Sequence, residues 1–162
     1  MHLAGQATAE TWVADADADP VLVVTAPPAA SLASELVRLL PELRALVGPD
    51  RRATVVFDRG GESATTFAAI GAAGFDLLTY RKGPFDRLPD TAFTAGSFTD
   101  PDGQVHSYRL AETTVELPLN RAGATVGLRQ VHRQAVDGTQ IPVLTSRTDR
   151  SEPLYLRRAR AS

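Results

Sequence analysis

The chain has 162 residues, of which 43% are hydrophobic, a formal net charge of −2 and no cysteine. This composition is enough for one well-packed domain, excludes disulfides and thiolate metal sites, and lacks the basic excess of a stand-alone nucleic-acid binder. Because there is neither an apolar run of about 20 residues nor a signal-peptide pattern, we expect a cytoplasmic chain without a membrane partner.

The N-terminal region predicts a β-hairpin. Residues 12–15 and 21–25 favour strands, and the turn-forming residues 17–20 separate them. The alternating aspartates of this turn lack the glycine and the distal glutamate of an EF-hand calcium loop, so a solvated turn is the favoured interpretation.

Leucines at helical spacing predict an amphipathic helix over residues 32–47, with one apolar stripe that covers a face of a sheet. Ser31 is a good N-cap, and residues 48–50 are expected to end the helix. Pro41 lies inside the pattern and is expected to kink or split it.

An apolar strand that ends in a carboxylate is the central feature of the sequence. Residues 54–57 favour a strand, Asp58 follows, and a second helix is predicted from Ser63 to a C′ glycine at Gly74. We expect Glu62 in the first turn of that helix, where the dipole stabilises a negative charge. A carboxylate at such a strand end is a common place for chemistry, but Asp also caps turns, so both interpretations of Asp58 stay open.

Another strand, over residues 75–80, completes a strand–helix–strand unit that is expected to be parallel and right-handed. The strand ends at Asp58 and Tyr80 would then lie side by side, with Arg81 and Lys82 directly after Tyr80. Asp58 is a suitable oxygen ligand for Mg²⁺, and the two cations suit backbone phosphates.

The rest of the chain predicts an antiparallel β segment. Residues 84–103 show no helical period, and Asp137-Gly138 is a strong hairpin turn signal. The candidate strands that surround this turn cover residues 105–110, 114–117, 125–132 and 141–145. Residues 146–162 are polar and basic and are expected to be poorly ordered.

Other catalytic patterns find little support. Ser97 lacks the G-x-S-x-G turn, and an aspartyl-nucleophile phosphohydrolase would need a second acid where Gly60 stands. The histidines His2, His106 and His132 have no metal-ligand spacing and no obvious acidic partner, so each is interpreted as an ordinary strand or surface residue. Metal-assisted phosphoryl transfer, which needs several convergent carboxylates, fits better.

Two linked motifs resemble bacterial insertion-sequence transposases of the DDE, RNase H-like type. They are residues 57–63, Phe57-Asp58-Arg59-Gly60-Gly61-Glu62-Ser63, and residues 73–83, which end in Thr79-Tyr80-Arg81-Lys82-Gly83. Residues 11–15 and 20–25 are also similar, so the resemblance covers roughly residues 8–148.

The resemblance implies an α/β fold with a partial RNase H-like core over residues 10–83, formed by the hairpin and the parallel strand–helix–strand unit. It also implies an antiparallel β-rich insertion over residues 84–145, followed by the polar, basic tail over 146–162. If the first long strand of that core is missing, Val23 and Val55 are expected near an unfilled sheet edge, which favours self-association.

For function, the resemblance implies that Asp58 is the second catalytic acid and a Mg²⁺ ligand. Transposases of this type use Mg²⁺ to cleave and join DNA at transposon ends, so DNA is the implied partner. Arg59, Arg81 and Lys82 are the residues expected to bind its phosphates.

The other two acids of that family have no counterpart in the sequence. Residues 1–11 contain no Asp, and Glu152 precedes a proline and lies in no amphipathic pattern. We therefore expect a truncated transposase fragment that is inactive alone. Two alternatives remain: a non-enzymatic remnant that associates with DNA or full-length transposase, and an unrelated metal-dependent phosphohydrolase with a second carboxylate near Asp58.

Overall fold

The computed structural model describes residues 9–26, 30–120 and 123–148. Within these ranges the chain is a mixed α/β protein in which strands predominate, as the α/β prediction requires at its coarse level. The strands are β1 (Ala9–Ala14), β2 (Pro20–Ala26), β3 (Thr54–Phe57), β4 (Asp76–Tyr80), β5 (Thr94–Thr99), β6 (Val105–Pro118), β7 (Thr125–Gln134) and β8 (Gln140–Thr145). The helices are α1 (Leu32–Val47), between β2 and β3, and α2 (Ala64–Ala72), between β3 and β4.

Six of the strands form one sheet in the order β3-β4-β8-β7-β6-β5. The pair β3–β4 is parallel, as predicted, and the other neighbours are antiparallel. The sheet therefore joins strands from both sides of residue 84. The division of the chain into residues 10–83, 84–145 and 146–162 stays a prediction, and residues 149–162 lie outside the described ranges.

The predicted hairpin is confirmed as a separate two-stranded antiparallel sheet of β1 and β2. Its turn is held by Asp15, whose Oδ1 accepts hydrogen bonds from the backbone N–H groups of Asp17 and Asp19 at 2.9 and 3.0 Å. The Asp15 side chain therefore stabilises an exposed turn, in agreement with the interpretation from the sequence.

Helix α1 begins and ends where its sequence predicts. Ser31 Oγ accepts a hydrogen bond from Ser34 N at 3.2 Å, and Gly48 is the C-cap. Of the two outcomes predicted for Pro41, the split is wrong, because α1 is one continuous helix across it, and the kink stays a prediction. A proline inside a helix costs about 3 kcal/mol, whereas burying one leucine contributes about 1.5–3 kcal/mol, so the buried stripe outweighs it. That stripe consists of Leu36, Leu39, Leu40 and Leu43.

Helix α2 also follows its predicted caps. Ser63 Oγ accepts a hydrogen bond from Thr66 N at 3.0 Å, and Gly74 adopts a φ of 76° at the C′ position, a conformation that glycine tolerates best. Both helices pack on one face of the six-stranded sheet. The core that they share with the sheet includes Leu39, Phe67, Ile70, Leu77, Leu128 and Leu144.

Arg44 links the C-terminal ends of both helices to the start of β3. Its guanidinium lies 3.8 Å from the centre of the Phe75 ring. It donates hydrogen bonds of 2.7–3.0 Å to the backbone carbonyls of Gly48, Arg51, Ala73 and Gly74. Hydrogen bonds from a charged donor are among the stronger ones in proteins, so Arg44 holds this end of the α/β unit together.

The antiparallel part differs from the sequence-based expectation at two places. β5 was not predicted, because the stretch is poor in apolar residues and contains Gly96; the strand forms by pairing with β6, where the Tyr108 ring covers Gly96. β6 was predicted as two strands but is one, because its pairing with β7 is unbroken from Arg109 to Pro118. The predicted turn at Asp137-Gly138 between β7 and β8 is confirmed.

The two faces of the hairpin have different environments. Val13, Leu22 and Val24 pack against the core, and Val55 of β3 does so too. On the opposite face, Trp12 lies directly across from Val23, and these side chains are 62% and 47% exposed. The hairpin therefore presents an apolar surface to solvent, and contiguous apolar surfaces favour association.

We expect this outer hairpin face to drive self-association. Replacing Trp12 and Val23 by threonine removes the apolar contact but keeps strand propensity, so sedimentation velocity should show less oligomer for the double variant than for the wild type. Leu46→Thr is the matched control, because Leu46 is 60% exposed on α1 and should leave the distribution unchanged. A wild-type chain that stays monomeric at every concentration would contradict this expectation.

Candidate functional site

The parallel register of β3 and β4 defines the candidate site. Phe57, the last residue of β3, lies opposite Thr79 of β4. Asp58 and Tyr80 follow these partners, and both strands run in the same direction, so the two loops leave the sheet at one edge. The predicted juxtaposition of these strand ends is confirmed.

Asp58 is exposed and caps the short 3₁₀ turn Arg59–Gly61, since its Oδ1 accepts a hydrogen bond from Arg59 N at 2.6 Å. The turn packs closely on α1. A Cβ at Gly61 would come within 2.6 Å of the Phe57 ring and 2.7 Å of Leu36, so glycine is required there. The structure therefore gives direct support to the capping interpretation of Asp58, while its catalytic and metal-binding roles stay predictions.

Glu62 lies outside α2, contrary to the expectation that it belongs to the first turn. It precedes the N-cap Ser63, and its carboxylate accepts a hydrogen bond from the backbone N–H of Lys82. This contact joins the loop after β3 to the loop after β4. Burial raises the pKa of Glu62, and the Lys82 N–H together with the charges of Arg81, Lys82 and Arg59 acts in the opposite direction.

The three cations predicted to bind phosphate have different environments. Arg59 is exposed, with its guanidinium 5.7 Å from the centre of the Tyr80 ring. Lys82 is exposed, whereas Arg81 is half-buried and donates from Nη1 to Oε1 of Gln130 on β7. The charges of all three lower the pKa of Glu62.

We call these residues the strand-end cluster: Asp58, Arg59, Glu62, Arg81 and Lys82. With three cations and two carboxylates, the cluster is locally positive on a chain whose net charge is −2. Exposed arginine and lysine side chains are the usual partners of nucleic-acid phosphates. The cluster therefore has the charge and the exposure of a small phosphate-binding edge.

Sequence reasoning missed the buried residues behind this edge. His132 is 1% exposed, and its Nε2 lies 2.5 Å from Nε2 of Gln130. The Phe85 ring packs against the imidazole, with ring centres 5.7 Å apart. The sequence did contain a signal for them. Alternate residues of β7 face inward, and along the strand they change from apolar Leu128 to polar Gln130 and His132.

The environment of His132 lowers its pKa. Burial lowers the pKa of His132, the positive charge of Arg81 lowers it further, and the side chain of Gln140 acts in the opposite direction. His132 is therefore a buried strand histidine that is neutral at neutral pH.

The prediction that the histidines lack an acidic partner is wrong for His106. Its Nε2 lies 2.7 Å from Oδ2 of Asp100, across the β5–β6 connection, and this hydrogen bond is the main reason that the pKa of Asp100 is lowered. His106 and Asp100 belong to the β5–β6 hairpin and not to the strand-end cluster. His2 lies outside the described residues.

The donor groups of the cluster do not fit a resident pair of Mg²⁺ ions. The part of the chain that the structure describes contains no group of three or more His, Asp or Glu side chains placed to hold a metal. Asp58 also has Arg59 next to it, and Glu62 is engaged with Lys82. Hard cations need several oxygen ligands, and neighbouring cationic side chains oppose their binding.

Comparison with known proteins adds no family assignment. No protein-family model matches the sequence, and no curated protein matches it. The resemblance to transposases therefore depends on the motifs quoted above. Within residues 9–26, 30–120 and 123–148, neither helix has the length and apolar character that a membrane crossing requires.

The raised pKa of Glu62 predicts a specific pH dependence. A carboxyl whose native pKa lies above its unfolded value of 4.5 contributes stability that is complete below pH 4.5 and is lost as the pH rises through the native pKa. Glu62→Gln keeps an acceptor for the Lys82 N–H but cannot titrate. The stability of this variant relative to the wild type should therefore increase from pH 4.5 to neutral pH.

Urea unfolding of both chains at several pH values measures this difference, and equal m-values in the two chains serve as the control for a comparable unfolding transition. A stability difference that stays constant or decreases with rising pH would show that burial does not dominate at Glu62.

Proposed function

We propose that this chain derives from the catalytic core of a DDE transposase, with a partial RNase H-like core, and that it binds the DNA backbone without cleaving DNA by itself. The observation that carries the proposal is the parallel register of β3 and β4, which brings residues 58–63 of the first transposase-like motif and residues 80–83 of the second to one edge. Arg59, Arg81 and Lys82 lie within these motifs and provide the positive charge.

The carboxylates of the cluster argue for binding rather than catalysis. Two-metal phosphoryl transfer uses convergent carboxylates to hold ions about 3.5–4 Å apart. Here Asp58 caps a turn and the Glu62 carboxylate accepts the Lys82 N–H. A single exposed carboxylate beside three cations suits contact with a phosphate better than it suits a pair of metal ions. The same argument disfavours a metal-dependent phosphohydrolase.

The charge distribution sets the character of the proposed binding. The chain as a whole is slightly acidic, so attraction to DNA is local to the strand-end cluster. Backbone contacts carry no sequence information, and each phosphate neutralised by a lysine or arginine makes the affinity more dependent on salt. We therefore expect weak, salt-sensitive binding that is similar for different DNA sequences.

Charge reversal within the cluster tests the proposal. Arg59→Glu and Lys82→Glu should each weaken binding of a short labelled duplex by about tenfold, the value of one charge-assisted hydrogen bond. Each should also reduce the slope of log affinity against log salt by about 1. Fluorescence anisotropy at several salt concentrations measures both quantities.

Arg51→Glu is the matched control, because Arg51 is an exposed arginine before the opposite end of β3. It should retain the wild-type affinity. Equal losses for Arg51→Glu and the cluster variants would contradict a localised binding edge. Cleavage or strand transfer of transposon-end DNA by the purified chain with Mg²⁺ or Mn²⁺ would contradict the non-catalytic assignment.

A further inference from the structure

Three side chains form a line of polar contacts from the exposed edge to the interior. Arg81, directly after β4, donates to Oε1 of Gln130 on β7. Gln130 Nε2 lies 2.5 Å from Nε2 of His132, two residues further along β7 and therefore on the same face of the sheet. Gln130 and His132 are buried, whereas Arg81 is half-buried, so the line connects the strand-end cluster to the core.

The hydrogen-bonding groups of the three side chains determine which one donates and which one accepts in each contact. A guanidinium has only donors, so Gln130 must present its amide oxygen to Arg81. The amide nitrogen of Gln130 then faces His132, and it can only donate. His132 Nε2 must therefore accept, which makes His132 a neutral imidazole with its proton on Nδ1. In the part of the chain that is described, this buried Nδ1 has no hydrogen-bond partner.

A second proton on His132 is incompatible with this arrangement. Protonated Nε2 is a donor and would face the N–H groups of the Gln130 amide. If the amide turns over to offer its oxygen to His132, its nitrogen faces Arg81, and two donors meet there. Arg81 then loses its acceptor and gains a neighbour of like charge, and both changes favour its movement toward solvent.

The groups directly opposite His132 and over its ring are neutral. The strand neighbours and the covering loop contribute Ala111 of β6, Pro142 and Gln140 of β8, and Phe85. One residue pair further along the same face, Arg109 donates to Gln134 Oε1, and Gln134 donates to Asp90. Burial and, after it, the positive charge of Arg81 keep the pKa of His132 below the ordinary value of 6.5. Proton uptake by His132 is therefore expected below pH 6.5.

We infer that Gln130 and His132 are positioning residues that hold Arg81 inward at neutral pH, and that proton uptake by His132 releases Arg81 to the phosphate-binding edge. The consequence for DNA rests on the proposed function. The release of Arg81 itself does not, because it follows from the contacts within the chain.

Nuclear magnetic resonance on the full chain tests the release directly. Well above pH 6.5, the imidazole ¹⁵N shifts of His132 should show the Nδ1–H tautomer. As His132 takes up its second proton, the guanidinium signals of Arg81 should lose their protection from solvent exchange. An Nε2–H tautomer, or an Arg81 signal that does not change through the titration of His132, would overturn the inference.

Gln130→Glu provides an independent test that does not remove the histidine. A carboxylate only accepts, so it can bind Arg81 and protonated His132 at the same time. The pKa of His132 should rise in this variant, and Arg81 should stay protected throughout the titration. An unchanged pKa of His132 together with release of Arg81 as in the wild type would also overturn the inference.

The pH dependence of DNA binding tests the consequence. For the wild type, affinity for a labelled duplex should increase by up to about tenfold as His132 is protonated, the value of one added phosphate contact. His132→Gln keeps an acceptor and cannot titrate, so it should lose this increase. His106→Gln should keep it, because His106 pairs with Asp100 elsewhere in the fold.

The two proposals fail in different ways. A wild-type chain that binds no DNA at any pH, but shows the expected tautomer and release of Arg81, would refute the proposed function and support the positioning role. DNA binding with the same pH dependence in His132→Gln would refute the role of His132 and leave DNA binding by the strand-end cluster intact.

Discussion

The parallel pairing of β3 with β4 is the constraint on which the rest of the structure depends. It places the loops that begin at Asp58 and Arg81 at one edge of the sheet. Glu62 then joins these loops through the backbone N–H of Lys82, and Gly61 allows the first loop to pack against α1. At the opposite end of the two strands, Arg44 hydrogen-bonds to four backbone carbonyls and keeps the helices in place.

The inner face of the sheet changes from apolar to polar toward this edge. Under the helices it is apolar, with Leu77 and Leu144 fully buried, whereas further along it carries Gln130 and His132. Buried polar groups cost free energy unless they are hydrogen-bonded, so these side chains need Arg81 and each other as partners. Under the two proposals above, the buried polar residues control the position of Arg81, and binding at the edge would depend on the protonation of His132.

Features set by neighbouring residues were predictable from the sequence. The caps at Ser31 and Ser63, the C′ glycine Gly74 and the turn at Asp137-Gly138 each depend on a short stretch of chain, and all are confirmed. The adjacency of Asp58 and Tyr80 was also predictable. Two strands joined by one short helix normally pair in parallel, with a right-handed crossover.

Features set by tertiary contacts were not predictable in this way. β5 forms through pairing with β6, and α1 continues across Pro41 because of its buried stripe. Likewise, the position of Glu62 depends on Lys82 of a different loop. Amide chemical-shift mapping of the full chain, titrated with a short duplex, tests most directly whether the strand-end cluster is the DNA-binding surface. We expect shifts concentrated in residues 58–62 and 80–83; shifts concentrated around Arg51 and Arg52, or none at all, would contradict DNA binding by the cluster.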